Sequence, residues 1–350
     1  MLYALFALLL SLPGCPRRYP AGISRPVGGA DLHSFSWSPE SGRLAYVEGR
    51  FPQRTYLVVA DKGGRTVSST RLKGWTLMGP TALTKDGKTA AVGAGKLGKY
   101  DSREAPEERG LLAVDAESGA VKESLETGPA GPLALAAQSW TGRLVAVWNG
   151  RRALEWKELG GPEAGSLPLP PASKGALTPA GFLAAAADKS MTGVDLRAGR
   201  RTARWDAALT IQPLSVSADG RVLAARWESE SGKFVLEACD LRTRDRSVVL
   251  EADGEIETAL ATPKGVFAVA KDHSRKNATG KDFLAPRVLL VVEPGGARWS
   301  APWTSRPGTF FGWDDAAGRL WFAVTDRDRP AAWSIAVDSA ALTAAGPAID

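Results

Sequence analysis

Short apolar runs, each entered through a polar turn, recur along the chain. Leu44-Ala45-Tyr46-Val47 and Leu144-Val145-Ala146-Val147-Trp148 are two of them. Neither alternates apolar with polar residues. A strand with one solvated face alternates, and a strand covered on both faces does not. The pattern therefore predicts short strands packed between two layers. The residues just before each run are of one kind: Ser or Thr, then Pro, Asp or Ala, then Gly. Examples are Ser36-Trp37-Ser38-Pro39-Glu40-Ser41-Gly42, Thr84-Lys85-Asp86-Gly87 and Ser217-Ala218-Asp219-Gly220. Glycine supplies positive φ, and Asp or Ser bonds the local backbone, so the unit reads as a tight strand–turn–strand connection.

The unit repeats. Its glycines are Gly42, Gly87, Gly142, Gly181, Gly220, Gly265 and Gly318, spaced 39 to 55 residues apart. A period of about 40 to 50 residues is that of a four-stranded propeller blade. Further strands follow each unit. Tyr56 to Asp61 leads through a turn to Arg65 to Arg71; Leu111 to Asp115 leads to Ala120 to Lys122; Thr192 to Leu196 leads to Arg201 to Trp205. Alanines recur in the apolar runs (Ala45, Ala90, Ala146, Ala184, Ala224, Ala268), and small residues suit a crowded centre. The fold expected is all-β, a single β-propeller of seven four-stranded blades over 32–350. A generic β-sandwich would not give seven matched units. Trp37 and Trp313 hold matching repeat positions, as blade-packing residues would. The turns at Trp37 to Leu44 and Ser217 to Val222 resemble the Ser-Pro-Asp-Gly repeat of TolB-type, WD-like bacterial propellers. That resemblance implies the fold and leaves the activity open.

The N-terminus is patterned differently. Leu2 to Leu12 is almost wholly apolar, shorter than the roughly 20 residues of a spanning helix and of the length of a signal-peptide core. Leu12-Pro13-Gly14-Cys15 follows and resembles the bacterial lipoprotein cleavage box. The resemblance implies a signal peptide over 1–14, Gly14 as the small residue before the cut, and Cys15 as the lipid acceptor. It also implies a lipid-anchored protein of the bacterial cell envelope, at the outer membrane facing the periplasm. An ordinary secretory signal, with Cys15 incidental, is the other reading. The Pro- and Gly-rich stretch 15–31 reads as a tether.

Composition changes this picture little. The chain has 350 residues, 44% of them hydrophobic, enough for a full core. The net charge is +6, from 44 basic and 38 acidic residues that are interspersed. No basic block or basic helix stands out, so nucleic acid is not expected as a partner. With Cys15 lipidated, Cys239 has no cysteine partner. It lies in the apolar run Phe234 to Cys239, which predicts a buried, inert thiol.

The two long spacings locate candidate loops, each between the second and third strands of a repeat. One is 94–109, with four basic and four acidic residues; the other is 271–287, with five basic and two acidic. Long loops on a rigid scaffold often carry function. The candidate binding face comprises Arg50, Phe51, Lys96, Tyr100, Arg103, Arg151, Arg152, His273, Arg275, Lys276, Arg327 and Arg329. Such a basic, partly aromatic rim would draw an anionic ligand or partner. Catalytic chemistry finds little support. The only histidines are His33 and His273, there is no Gly-x-Ser-x-Gly elbow, and no His/Cys cluster has zinc spacing. Asp326 and Asp328 flank Arg327, which argues for local ion pairing over calcium. No cofactor is expected. The expected function is a non-enzymatic envelope lipoprotein whose propeller binds a protein partner. The alternative is a propeller enzyme or binding protein acting on envelope glycan or a small anionic ligand.

Overall fold

The structure is a computed structural model. It describes residues 32–38, 40–50, 54–61, 65–96, 108–128, 131–137, 143–207, 209–217, 219–271, 287–303, 310–314, 319–326 and 329–336. Cys15, the signal segment and the tether lie outside the described residues.

Every described regular element is a strand. The strands pair, in chain order, into antiparallel sheets. Sheet 1 runs from Leu32 to Thr70, sheet 2 from Thr76 to Glu126, sheet 3 from Pro132 to Leu167 and sheet 4 from Lys174 to Asp206. Sheet 5 runs from Ile211 to Ala252, sheet 6 from Ile256 to Trp303 and sheet 7 from Phe310 to Ala336. Four strands are described in each of the first six sheets and three in the last. Neighbouring strands in a sheet are neighbours in sequence, so each sheet is a simple meander. The first strand of each sheet lies beside the first strand of the next, and that of sheet 7 lies beside that of sheet 1.

The repeated turn joins the first strand to the second, as its residues require. Gly42, Gly87, Gly181, Gly220 and Gly265 have φ of 61°, 66°, 91°, 87° and 126°. The Ser or Thr that opens the motif closes the turn. The Gly87 N–H donates to the Thr84 carbonyl at 2.8 Å, and the Thr89 N–H donates to Thr84 Oγ1 at 3.0 Å. Thr178 and Ser217 repeat this arrangement in sheets 4 and 5. Trp37 and Trp313 pair with Leu44 and Leu320, the second residue of the following strand in each case, so their matching positions persist in register.

The third-to-fourth turn has its own device. In sheets 1, 2, 4 and 5 the third strand ends in an aspartate: Asp61, Asp115, Asp195 and Asp240. Each carboxylate accepts backbone N–H bonds from the turn that follows. Asp115 receives the N–H groups of Ser118 (2.9 Å) and Glu117 (3.1 Å); Asp240 receives those of Thr243 (3.0 Å) and Arg242 (2.7 Å). The Ser118 N–H, with the Ser118 hydroxyl and Lys122, holds Asp115 far below the ordinary carboxylate range; the Thr243 and Arg242 N–H groups lower Asp240. A group whose folded pKa lies below its unfolded value, about 3.9, stabilises above that value and loses its contribution as pH falls. Stability is therefore expected to drop below about pH 4 as these turns are protonated. Asp115→Asn should flatten the acid limb of the melting temperature–pH curve, and an unchanged limb would rule the turn carboxylate out as a cause.

The core lies between sheets. One apolar layer joins sheets 1 and 2, and others join 2 with 3, 3 with 4, 4 with 5, and 5 with 6. The second strands of sheets 1 to 6 are covered on both faces over most of their length, as their unbroken apolar runs require; in Thr89–Lys96 only Lys96 is exposed. The repeated alanines, all fully buried, sit on these second strands and not on the innermost ones. There they let adjacent sheets approach closely. Cys239 is a buried free thiol between sheets 4 and 5, with its pKa pushed up to about 12 by burial and then by the nearby Glu237 carboxylate.

Candidate functional site

In a four-strand meander, the second-to-third turns and the linkers to the next sheet emerge at the same end. The described residues of the predicted face, Arg50, Lys96, Arg151, Arg152 and Arg329, lie at that end. Arg151 and Arg152 are exposed on the turn between Leu144–Asn149 and Leu154–Leu159. Asn149, at the base of that turn, clamps the linker to sheet 4. Its Nδ2 donates to the Ala172 carbonyl at 2.7 Å, and its Oδ1 accepts the Ala172 N–H at 3.0 Å. Arg50 ends the second strand of sheet 1, and Arg329 begins the third strand of sheet 7. His33 lies within the first strand, Leu32–Ser38. Phe51, Tyr100, Arg103, His273, Arg275, Lys276 and Arg327 lie outside the described residues.

The two long loops are shorter than their spacing suggested. Strand pairing continues to Lys96 and Glu108, so Lys96 is a strand residue and the intervening segment is 97–107. Lys96 Nζ is 2.5 Å from Glu108 Oε2 and 4.9 Å from the Trp75 ring centroid. Its charge is used within the face. The basic ends of the second loop are also used. Arg287 is buried and makes two bonds to Glu257, at 2.8 and 3.2 Å, and Lys271 pairs with Glu255 at 2.7 Å. Glu257 belongs to the first strand of sheet 6, and Glu255 is the linker residue just before it. The excess of positive charge read from 271–287 is therefore partly cancelled by its neighbours.

Sequence reasoning missed the concave feature of this end. A cleft of about 320 Å3 opens where sheets 4, 5 and 6 meet. Lys174, Asp188, Gln212, Arg226, Trp227 and Phe234 line it. A wider groove of about 770 Å3 adjoins it and shares Asp188, with Pro170, Lys189, Arg204 and Leu209 along its sides. The cause is a short turn. The second and third strands of sheet 4 are joined by Asp188 and Lys189 alone, with Asp188 at φ 51°. A two-residue connection adds no bulk above the sheet, so the flanking linkers stand proud of it.

The cleft has an aromatic wall and polar sides. Trp227 and Phe234 are a cross-strand pair, edge to face, with centroids 4.7 Å apart and planes at 64°. Both remain partly exposed. Lys174 Nζ donates to Gln212 Oε1, and Gln212 Nε2 donates to the Ile256 carbonyl at 3.4 Å. Arg226 is held from behind. Its Nε donates to Glu237 Oε1 at 2.9 Å, and a second nitrogen bonds Glu228. Glu237 is only 2% exposed and also accepts Arg246 Nε at 2.6 Å. Burial works against the Arg226 charge, but the bonds to Glu237 and Glu228 more than offset it and raise its pKa. The arrangement offers an apolar seat beside fixed donors. Among the described residues, no three His, Cys, Asp or Glu side chains stand close enough to hold a metal ion.

The chain is similar to a WD40 β-propeller chain in a crystal structure of a mitotic checkpoint complex. The two superpose with a TM-score of 0.64 over 93% of this chain and 96% of that one, at 13% sequence identity. No family model matches the chain, and the search of curated proteins returns no match. At that identity the likeness speaks to fold alone, and the fold is a β-propeller.

Proposed function

We propose that the chain is a seven-bladed β-propeller that serves the bacterial cell envelope as a non-enzymatic protein-interaction scaffold, anchored by lipid at Cys15. The β-propeller fold itself suggests a protein-interaction scaffold. The observation that carries the reading is the cleft-bearing end. The strand ends that bracket 97–107 and 272–286, the exposed Arg151 and Arg152 and the aromatic cleft share one end of the sheets. A partner chain contacts such a rim of loops over a broad area and uses a cleft for an anchoring side chain. The ring of first strands from sheet 1 through sheet 7 supports closure as seven blades. The domain reading is a signal peptide over 1–14, a tether over 15–31 and the propeller over 32–350.

A second reading has one observation in its favour. A cleft of about 320 Å3 with a Trp–Phe wall and flanking Lys174 would take a small anionic or sugar-like ligand.

Envelope crosslinking tests the proposal. Crosslinked full-length protein should recover a specific protein, and recovery should fall when residues 97–107 or 272–286 are replaced by short Gly/Ser links. Full recovery from both deletions would count against this face. In the same cells Cys15→Ala should abolish lipid labelling and release the protein from membranes; persistent labelling would overturn the anchor.

A further inference from the structure

The cleft-bearing end is electrically divided. On sheets 1 to 4, the linker 71–75 exposes Arg71 and Lys73, and the turn after Asn149 exposes Arg151 and Arg152. Lys189 is exposed on the sheet 4 turn, and Lys174 is exposed at the start of that sheet. The exposed carboxylates of sheet 4 at this end are Asp188, next to Lys189, and Asp206, which pairs with Arg204, so the excess there is positive but not of one sign. The side chains of Arg71, Lys73, Arg151, Arg152 and Lys189 make no hydrogen bond or ion pair to a described residue. Sheets 5 and 6 carry the opposite sign at the same end. Glu230 and Asp253 are exposed there, and Glu228, Glu251 and Glu255 stand nearby, each facing a cation already named or Lys233. The cleft lies at the boundary, with Lys174 on one side and Glu255 on the other.

Cations on rigid turns that make no internal ion pair cost little in water and gain most when an anionic group arrives. Their backbone supports are fixed. Leu72 is buried between Arg71 and Lys73, and Asn149 ties the arginine turn to the next linker. The arc is too long for a single small anion and is interrupted by neutral linkers such as 168–173. A flexible chain with several carboxylates matches it better. At the boundary, the Trp227–Phe234 wall offers an apolar seat of side-chain size.

We infer that this end binds an extended acidic segment of a protein partner, whose carboxylates lie along Arg71, Lys73, Arg151, Arg152 and Lys189 and whose one apolar side chain enters the Trp227–Phe234 cleft. The inference rests on the protein-binding reading above. Electrostatics sets the approach and register, and the apolar anchor holds the segment. The acidic sector of sheets 5 and 6 repels the segment's carboxylates and so gives the docking one polarity.

The test uses full-length protein and two fluorescent peptides, an oligoglutamate with one central phenylalanine and the same peptide with glycine in its place. Fluorescence anisotropy should show binding of the phenylalanine peptide that weakens as salt shortens the screening length to about 10 Å at 0.1 M. The glycine peptide should bind about tenfold less tightly, as the loss of a buried anchor implies. Arg151→Glu/Arg152→Glu, a change confined to an exposed turn, should weaken the phenylalanine peptide about tenfold or more. Arg197→Glu/Arg200→Glu, exposed at the opposite end, should leave it unchanged. Failure of the phenylalanine peptide to bind at low salt would overturn the inference, as would equal effects of the two double variants. Tighter binding to vesicles containing phosphatidylglycerol would overturn it in favour of a lipid surface. A partner crosslinked to this end by a protein that ignores both peptides would leave the scaffold reading standing and remove only the acidic segment.

Discussion

Replacing Gly265 with alanine should lower the unfolding free energy by about 3 kcal/mol, through strain and collision together. Gly265 closes the repeated turn of sheet 6 and has φ of 126°, where L residues are rarely found. A Cβ built there would sit 2.3 Å from the Val292 carbonyl oxygen and 3.1 Å from Glu293 Cα. Both are backbone atoms of the third strand or its following turn, so no rotamer change relieves the overlap. The strand would have to move, and Val292 pairs with Val266, the next residue along. Gly232 supplies the control. It has φ of 67° with nothing within 4 Å of a built Cβ, so Gly232→Ala bears the conformational cost alone, about 1 kcal/mol. Urea unfolding of both variants measures the difference. Equal midpoints would show that the sheet 6 strand yields freely.

That glycine was legible in the sequence because its reason is local. A positive φ, a hydroxyl that closes the turn and an apolar run after it are all written within ten residues, and the described repeat turns form as written. The terminal aspartates were legible as residues, though not as a device. Asp61 and Asp115 stand at the ends of visible strands and Asp195 one residue before the end of another, but the N–H bonds they accept appear only when the turn is folded. The cleft was not legible, for a physical reason. Attention to long insertions finds where a chain adds material, and a concavity forms where it adds none. Asp188-Lys189 is the shortest second-to-third connection in the first six sheets, and that brevity was the available signal. The charge of the face was misjudged for another reason. Lys271 and Arg287 look like loop cations in sequence, yet Glu255 and Glu257, some 16 and 30 residues earlier, meet them in space. Arg71 and Lys73, which lie in a linker and not in a long loop, remain open to a partner along with Arg151, Arg152 and Lys189.

Removing the carboxylate behind the cleft should cost nearly as much as Gly265→Ala and should reach the binding face as well. Glu237 is 2% exposed and bonds two guanidinium groups, Arg226 at 15% and Arg246 at 32% side-chain exposure. In Glu237→Ala, Arg246 can turn toward water. Arg226 cannot leave so easily, and it keeps only Glu228. Breaking a buried pair by deleting one partner leaves a charge that burial penalises, and a loss of about 3 kcal/mol is expected. Replacing Arg226 by methionine and Glu237 by leucine together removes the stranded charge and should recover most of that loss, since a buried ion pair often contributes little net stability over an apolar pair of similar volume. The two variants then separate folding from function. Both lack the Arg226–Glu237 strut at the cleft, but only the single variant is unstable. If the Arg226–Glu237 pair serves only the fold, the double variant binds the phenylalanine-bearing oligoglutamate as the parent does. If the Arg226 guanidinium also serves the cleft it lines, the double variant melts near the parent and binds more weakly, and that second result is the one expected.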